Sequence, residues 1–468
     1  MNDIPTIAEA ARLIATKQLS PVELTHACLE RANQLDGELH AFVQLTEERA
    51  LADARMAEAA IMAGEAVGPL CGIPIGLKDI VDTKGIPTTC QSKILRDNIP
   101  DADATCASLL AAAGTVMMGK TATHEFADGG PSFDLPWPPA RNPWNTAHFT
   151  AGSSSGTGAG VAAGLILGGI GTDTGGSIRG PSALCGIAGL KPTYGLVSRA
   201  GVAPAAFTLD HIGPMAWTAA DCALMLQALA GYDPRDPASA SCAVPDYAAG
   251  LGASIKGVRI GVIHHFHEVD HKVSAGTQGG IDSAITTLRA LGAVITEVSL
   301  SPLTEWHACG TLISLTERAA AYDEWARTRL ADFGGRVQQR LLLGAMVSGV
   351  DYVQALRRRR ELRAELQAAM AELDIVVTAA QPTEAPTLDA IPEWDVGQKP
   401  SFTMPFNVTG YPAISICAGF GQLGLPVAIQ LVGKPFQEPS LLRVADAFEK
   451  ATPFRDRRPA LTQAFVAA

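Results

Sequence analysis

Apolar positions along this chain alternate between a helical period and short uninterrupted runs, and the switches between them divide it into elements. Residues 21 to 62 read as two helices with apolar faces. Their start is marked by a capping box: Ser20 as N-cap, Pro21 at the first helical position and Glu23 at the third. A Gly68-Pro69 loop then leads into Leu70 to Lys78, an apolar run punctuated by Gly72, Pro74 and Gly76 that suits a short buried strand delivering Lys78 to the interior. Ala104 to Gly114 reads as a helix and Thr115 to Met118 as a short strand, while Ile178 to Gly186 can start a helix despite Pro181 in its first turn. Farther on, Val258 to Ile263, a helical period from Gly280 to Leu291 and Ala293 to Val298 make a βαβ unit. Strands alternating with helices over the whole length predict α/β/α layers.

Two segments depart from that rhythm. Phe149 to Thr172 carries no charge and is long enough to span a bilayer. It is rich in glycine, holds three consecutive serines and is followed at once by Asp173 and Arg179, so it reads as a buried helix and a buried strand, with no membrane partner. Asp128 to Pro143 is proline-rich, and Phe133 and Trp137 within it need something to pack on, which predicts an ordered irregular loop.

Composition narrows the class further. Of 468 residues 47% are apolar and 18% charged, ample for a large core. A net charge of −11 without a basic stripe argues against nucleic acid as a partner, since binding it requires phosphate neutralisation. The Arg357 to Arg360 run, with Glu361 and Glu365 beside it, reads as a solvated helix face. Nine scattered cysteines without CxxC spacing, and an N-terminus lacking a basic and apolar leader, point to the cytoplasm.

Chemistry concentrates in three short segments. Ser177 lies in Gly171-Thr-Asp-Thr-Gly-Gly-Ser-Ile-Arg179, where two residues without side chains let the backbone N–H groups of Thr174, Gly175, Gly176 and Ser177 turn toward one point, as an oxyanion hole requires. Ser153 lies in Ala151-Gly-Ser-Ser-Ser-Gly-Thr157, and Lys78 ends an apolar strand. A lysine can serve as the base for a serine when an apolar surround keeps it neutral. Asp173 and Arg179 flank Ser177 in so apolar a region that they are expected to pair and brace the turn. Ser154 offers a rival, since Gly152-Ser-Ser-Ser-Gly156 satisfies G-x-S-x-G, the elbow of a Ser-His-Asp esterase. That elbow needs a strand just before it, and residues 144 to 151 make a poor one. His264, His265, His267 and His271 invite a metal, but as a cluster following a strand they read as solvent-facing loop histidines. The Gly156 to Gly160 and Gly168 to Gly171 stretches lack the spacing and the downstream acid of a dinucleotide site. No metal and no organic cofactor is expected.

This constellation resembles the amidase signature family, whose hydrolases use a Ser-cisSer-Lys triad. The likeness extends through Leu19-Ser-Pro-Val-Glu-Leu24, Arg141-Asn-Pro-Trp144, Gly189-Leu-Lys-Pro-Thr-Tyr-Gly195, Leu209-Asp-His-Ile-Gly-Pro214, Phe406-Asn-Val-Thr-Gly-Tyr-Pro-Ala413 and Gln430-Leu-Val-Gly-Lys434. It implies an α/β/α fold with a large mixed central sheet, Ser177 as the acylated nucleophile, and Ser153 after a cis peptide bond bridging Ser177 to Lys78. Ala151 and Ser155 replace glycines of the family pattern, while Thr157 keeps the final hydroxyl as structural support. The loop aligned with the acyl pocket, Asp128-Gly-Gly-Pro-Ser-Phe-Asp134, lacks the Thr-Glu-Asn-Ser type sequence of the tRNA amidotransferase A subunits. Asp128, Gly129, Gly130, Phe133 and Trp137 are therefore expected to line a site for an apolar or aryl group. The expectation is a single domain over 1–468, with a catalytic core at about 65–215 and a substrate-facing region at about 230–400. Its activity is expected to be hydrolysis of an amide, anilide, carbamate or urea C–N bond through a seryl acyl-enzyme, with a small molecule as partner and a homodimer allowed. The alternative is the A subunit of a glutamyl-tRNA amidotransferase complex that releases ammonia from glutamine.

Overall fold

Ser20 starts the first long helix as its sequence demands. In the computed structural model, which describes residues 4–392 and 399–461, its Oγ accepts the Val22 and Glu23 N–H groups while the Glu23 side chain returns to the Ser20 N–H. The helical stretch expected over 21 to 62 is two helices, Pro21–Leu39 and Glu47–Ala63, parted by a strand, β1 (Phe42–Leu45). Four residues are too short a run to carry a period, and β1 exists because it pairs antiparallel with β3 (Val116–Thr121). The lysine-bearing run is strand β2 (Pro74–Lys78), buried along its length.

The uncharged segment resolves into the Ser155–Ala163 helix and strand β4 (Gly168–Asp173), both buried throughout. Among the described residues no helix is long and apolar enough to cross a membrane. Ile178 caps the short Arg179–Cys185 helix, after which come β5 (Ala188–Lys191) and β6 (His211–Ala216). The expected βαβ unit is β7 (Arg259–Val262), the Ala275–Ala290 helix and β8 (Val294–Glu297), with the two strands parallel. Strands β9 (Ile375–Ala379), β10 (Ala413–Phe420) and β11 (Pro426–Gly433) complete one sheet of 11 strands in the order β1-β3-β2-β4-β6-β5-β10-β11-β9-β7-β8.

The sheet is mixed. Strands β3, β2 and β4 run parallel, as do β9, β7 and β8, and antiparallel pairs join the two groups through β6, β5, β10 and β11. Strands β2, β4, β6, β9 and β11 are buried on both faces, so helices must cover both sides, whereas the edge strands β1 and β8 are largely open. All nine cysteines are unpaired.

Candidate active site

Parallel β2 and β4 lie side by side, with Leu77 opposite Ile170. Their C-terminal ends therefore present Lys78 and Asp173 at one rim of the sheet, the usual place for a site in parallel α/β architecture. Lys78 is wholly buried, and its Nζ donates to Ser153 Oγ at 2.7 Å and to Thr172 Oγ1 at 2.8 Å. Burial pulls its pKa from an ordinary 10.5 down to about 7, against the opposing attraction of Asp173 and Asp210. A large share of this lysine is therefore neutral at neutral pH, and its two neighbours are both hydroxyls. Thr172 also lines a cavity with Ile80, Phe207, Asp210 and His211.

Ser153 follows a cis Gly152–Ser153 bond. Ala151, at a glycine position of the family pattern, takes the left-handed φ of +59° that glycine favours. His124 closes the other side of this turn. A Cβ on Gly152 would fall 2.1 Å from its ring, its N–H donates to the Ser153 carbonyl at 3.1 Å, and its Nδ1 shares a hydrogen bond with the Gly129 carbonyl at 3.1 Å. The Ser177 turn adjoins through the Ser154 N–H, which donates to the Ser177 carbonyl at 3.2 Å. Accessibility separates the serines: Ser153 and Ser154 are sealed, whereas Gly175, Gly176 and Ser177 are partly open. Ser154 is also spent on β4, its Oγ accepting from the Thr172 N–H at 3.2 Å, and no strand precedes it, so the esterase elbow is absent. Thr157 ties β3 to β4, its hydroxyl 2.7 Å from Thr121 Oγ1 and donating to the Ile170 carbonyl at 3.2 Å.

Asp173 and Arg179 form the expected pair, both wholly buried, with Nε and Nη2 of the arginine 2.9 and 2.8 Å from the two carboxylate oxygens. Burial pushes the Asp173 carboxyl up, but Arg179 with Lys191 and Asn407 more than offsets this and holds it well below the usual carboxylate range. Asn407 and Gln430, which sequence reasoning left without roles, complete the network. Asn407 Nδ2 donates to Asp173 Oδ1 at 2.9 Å, and Gln430 accepts from Arg179. Their signal was present, because both stand in the family-like motifs quoted above.

The same network bears on one of the expected oxyanion donors. Gly176 N–H donates to Asp173 Oδ1 at 2.8 Å, which ties it to the brace. Thr403 Oγ1 donates to the Gly175 carbonyl, pinning the turn from a loop far away in sequence.

The 128–137 loop differs more from its expectation. Asp128 is buried and bridged to Arg318 and, at 3.3 Å, to Arg340. Gly129 and Gly130 lie so close to Arg336 that a Cβ on either would fall within 3 Å of its side chain. Phe133 is 61% exposed and Trp137 half-buried. The loop is packed by arginines that lie about 190 to 210 residues downstream, where no local pattern links them to Asp128. The four histidines after β7 also differ from their reading: His267 is buried, while His264, His265 and His271 are only partly exposed. Residues 393–398, inside the expected 230–400 region, lie outside the described residues.

A family profile described as Amidase matches residues 23–442, and the chain belongs to that family, the amidase signature enzymes, which act on amide C–N bonds. The A subunit of the glutamyl-tRNA(Gln) amidotransferase of Chloroflexus aggregans is 40% identical to it over 98% of this chain and 99% of its own length. Among solved structures, an s-triazine catabolic enzyme described with a vestigial protein complex superposes with a TM-score of 0.89 at 30% identity, covering 95% of this chain and 98% of that one. The A subunit of the glutamyl-tRNA(Gln) amidotransferase of Thermotoga maritima does so with 0.82 at 30%, covering 97% of each. These likenesses overturn the expectation of a stand-alone hydrolase for anilides, carbamates or ureas, and with it the expectation of a small molecule as sole partner. The alternative, one component of an amidotransferase complex, is the better supported.

Proposed function

We propose that this chain is the amide-hydrolysing component of an amidotransferase, releasing ammonia from glutamine while assembled with partner subunits. The observation that carries the reading is the identity of 40%, maintained over nearly the full length of both chains, to a protein named as the A subunit of such an enzyme. The polar, arginine-packed surround of Asp128 supports it, since it suits a zwitterionic amide better than an aryl group. The cytoplasm is the corresponding compartment. Within the single domain, the 65–215 core supplies the chemistry and the 230–400 region faces the substrate.

In this mechanism the Ser177 Oγ attacks the carboxamide carbon, and its proton passes through Ser153 to neutral Lys78. Backbone N–H groups of Thr174, Gly175 and Ser177 receive the oxyanion. Collapse of the tetrahedral intermediate breaks the C–N bond, and the proton held by Lys78 returns through Ser153 to the leaving ammonia. Water then attacks the acyl-enzyme, its proton passing through Ser153 to Lys78, and collapse breaks the bond to Ser177 Oγ, which takes that proton back as glutamate departs. Ser177 is the partly open serine of the three turn hydroxyls, which supports its role as nucleophile.

The test is ammonia release from glutamine by the purified chain alone and with candidate partner subunits, beside hydrolysis of an anilide panel. Stable co-purification and partner-stimulated glutaminase activity are expected. Faster anilide cleavage by the isolated chain, with no partner effect on glutamine, would overturn the reading.

A further inference from the structure

Among the described residues His267 combines a wholly buried side chain with two ring nitrogens that lack hydrogen-bond partners. The Ile263 carbonyl is in weak hydrogen-bonding contact with one of them, outside good geometry. A neutral imidazole has one donor and one acceptor to satisfy, and burial with neither satisfied is costly unless something else binds there. The turn that holds the ring is a π-helical one, Phe266–Asp270, a geometry often found at functional sites. This wide turn gathers His264, His267 and Glu268, whose donor atoms all lie within 4.8 Å of one another. Glu268 Oε1 is 3.0 Å from His264 Nδ1 and 3.9 Å from His267 Nε2.

We propose that His264, His267 and Glu268 bind a divalent transition-metal ion, with zinc the best match. Two imidazoles and a carboxylate are donors that zinc takes readily. Tetrahedral zinc about 2.1 Å from each nitrogen needs donors about 3.4 Å apart. Closing from 4.8 Å falls to His264 and Glu268, whose side chains are 36% and 47% exposed, while the packed His267 ring supplies the fixed donor.

The neighbouring histidines are already satisfied. His265 Nδ1 is 3.0 Å from Asp270 Oδ2 and its Nε2 accepts the Leu300 N–H at 3.2 Å. His271 Nδ1 bonds the Pro400 carbonyl at 2.8 Å, and its ring stacks on Phe402.

Equilibrium dialysis of the purified full chain against Zn²⁺, with Co²⁺ absorption as a geometry probe, tests the site. One equivalent per chain with a tetrahedral cobalt spectrum is expected. The double variant His264→Ala/Glu268→Gln, altered only at partly exposed positions, should bind more than about 100-fold more weakly, since losing ligands exceeds the cost of losing outer-shell partners. His265→Ala should bind as the wild type does. Absence of saturable uptake, or equal affinity in the double variant, would overturn the proposal.

Discussion

Two lysines at neighbouring strand ends share burial and differ in what they touch. Lys78 closes β2 and Lys120 lies near the end of β3, and in the register of the pair Leu77 faces Lys120 while Lys78 faces Thr121. Adjacent register positions point to opposite faces of a sheet, so the two amines enter different layers. Both are wholly buried, and burial lowers the pKa of both. Lys78 donates to two hydroxyls, and among the described residues it has no ion-pair partner. Lys120 donates to the Val81 carbonyl and Thr88 Oγ1, each at 2.6 Å, with Asp79 3.6 Å away. A carbonyl oxygen cannot pass a proton on and a paired carboxylate favours the ammonium, so Lys120 is held as part of the frame. A serine hydroxyl can both accept and donate, and burial brings the unpaired amine of Lys78 down to about 7, where it can take up a proton near neutral pH. Burial alone does not make a base; the kind of acceptor decides.

The sharpest break of this comparison is to truncate each lysine. Lys78→Ala should cut kcat/KM for glutamine by about 10³-fold, the scale of lost acid–base catalysis, while the thermal unfolding midpoint holds or rises. Lys120→Met should act through stability instead, costing about 3–5 kcal/mol in denaturant titration because buried Asp79 loses its counter-charge. Equal activity losses with equal unfolding in the two variants would erase the distinction.

The pH profile sharpens it. In the proposed mechanism neutral Lys78 is the active form, and burial brings its pKa down to about 7, so kcat/KM should fall on acidification through that value, approaching about tenfold per pH unit below it. A profile flat from pH 8 to pH 5 would rule out this lysine as the base.

A smaller effect separates the second partners. Thr172→Val removes one of the two hydroxyls on Lys78 and should lower kcat by about fivefold, the worth of one net hydrogen bond, with little change in stability. Thr88→Val should instead lower stability by about 1 kcal/mol and leave kcat alone. Smallest of all, Phe133→Ala removes an exposed ring from the loop rim and should shift stability within about 0.5 kcal/mol and leave KM for glutamine unchanged; a large KM rise would restore that ring to the pocket.

Much of this was legible before any fold was known. The Ser20 capping box, the buried strand ending in Lys78, the helix and strand within 149–172, the βαβ unit and the Asp173–Arg179 pair all followed from local rules, because capping, periodicity and the cost of an unpaired charge act over a few residues. Tertiary structure alone decided the rest. β1 needed β3 to exist, the Gly176 N–H met Asp173, Asp128 met Arg318 and Arg340 from distant helices, and His267 was buried while its sequence neighbours kept their partners. Each of those outcomes depends on which polar groups meet inside a packed interior, where every donor competes for acceptors brought together by the whole sheet, and no window of sequence records that competition.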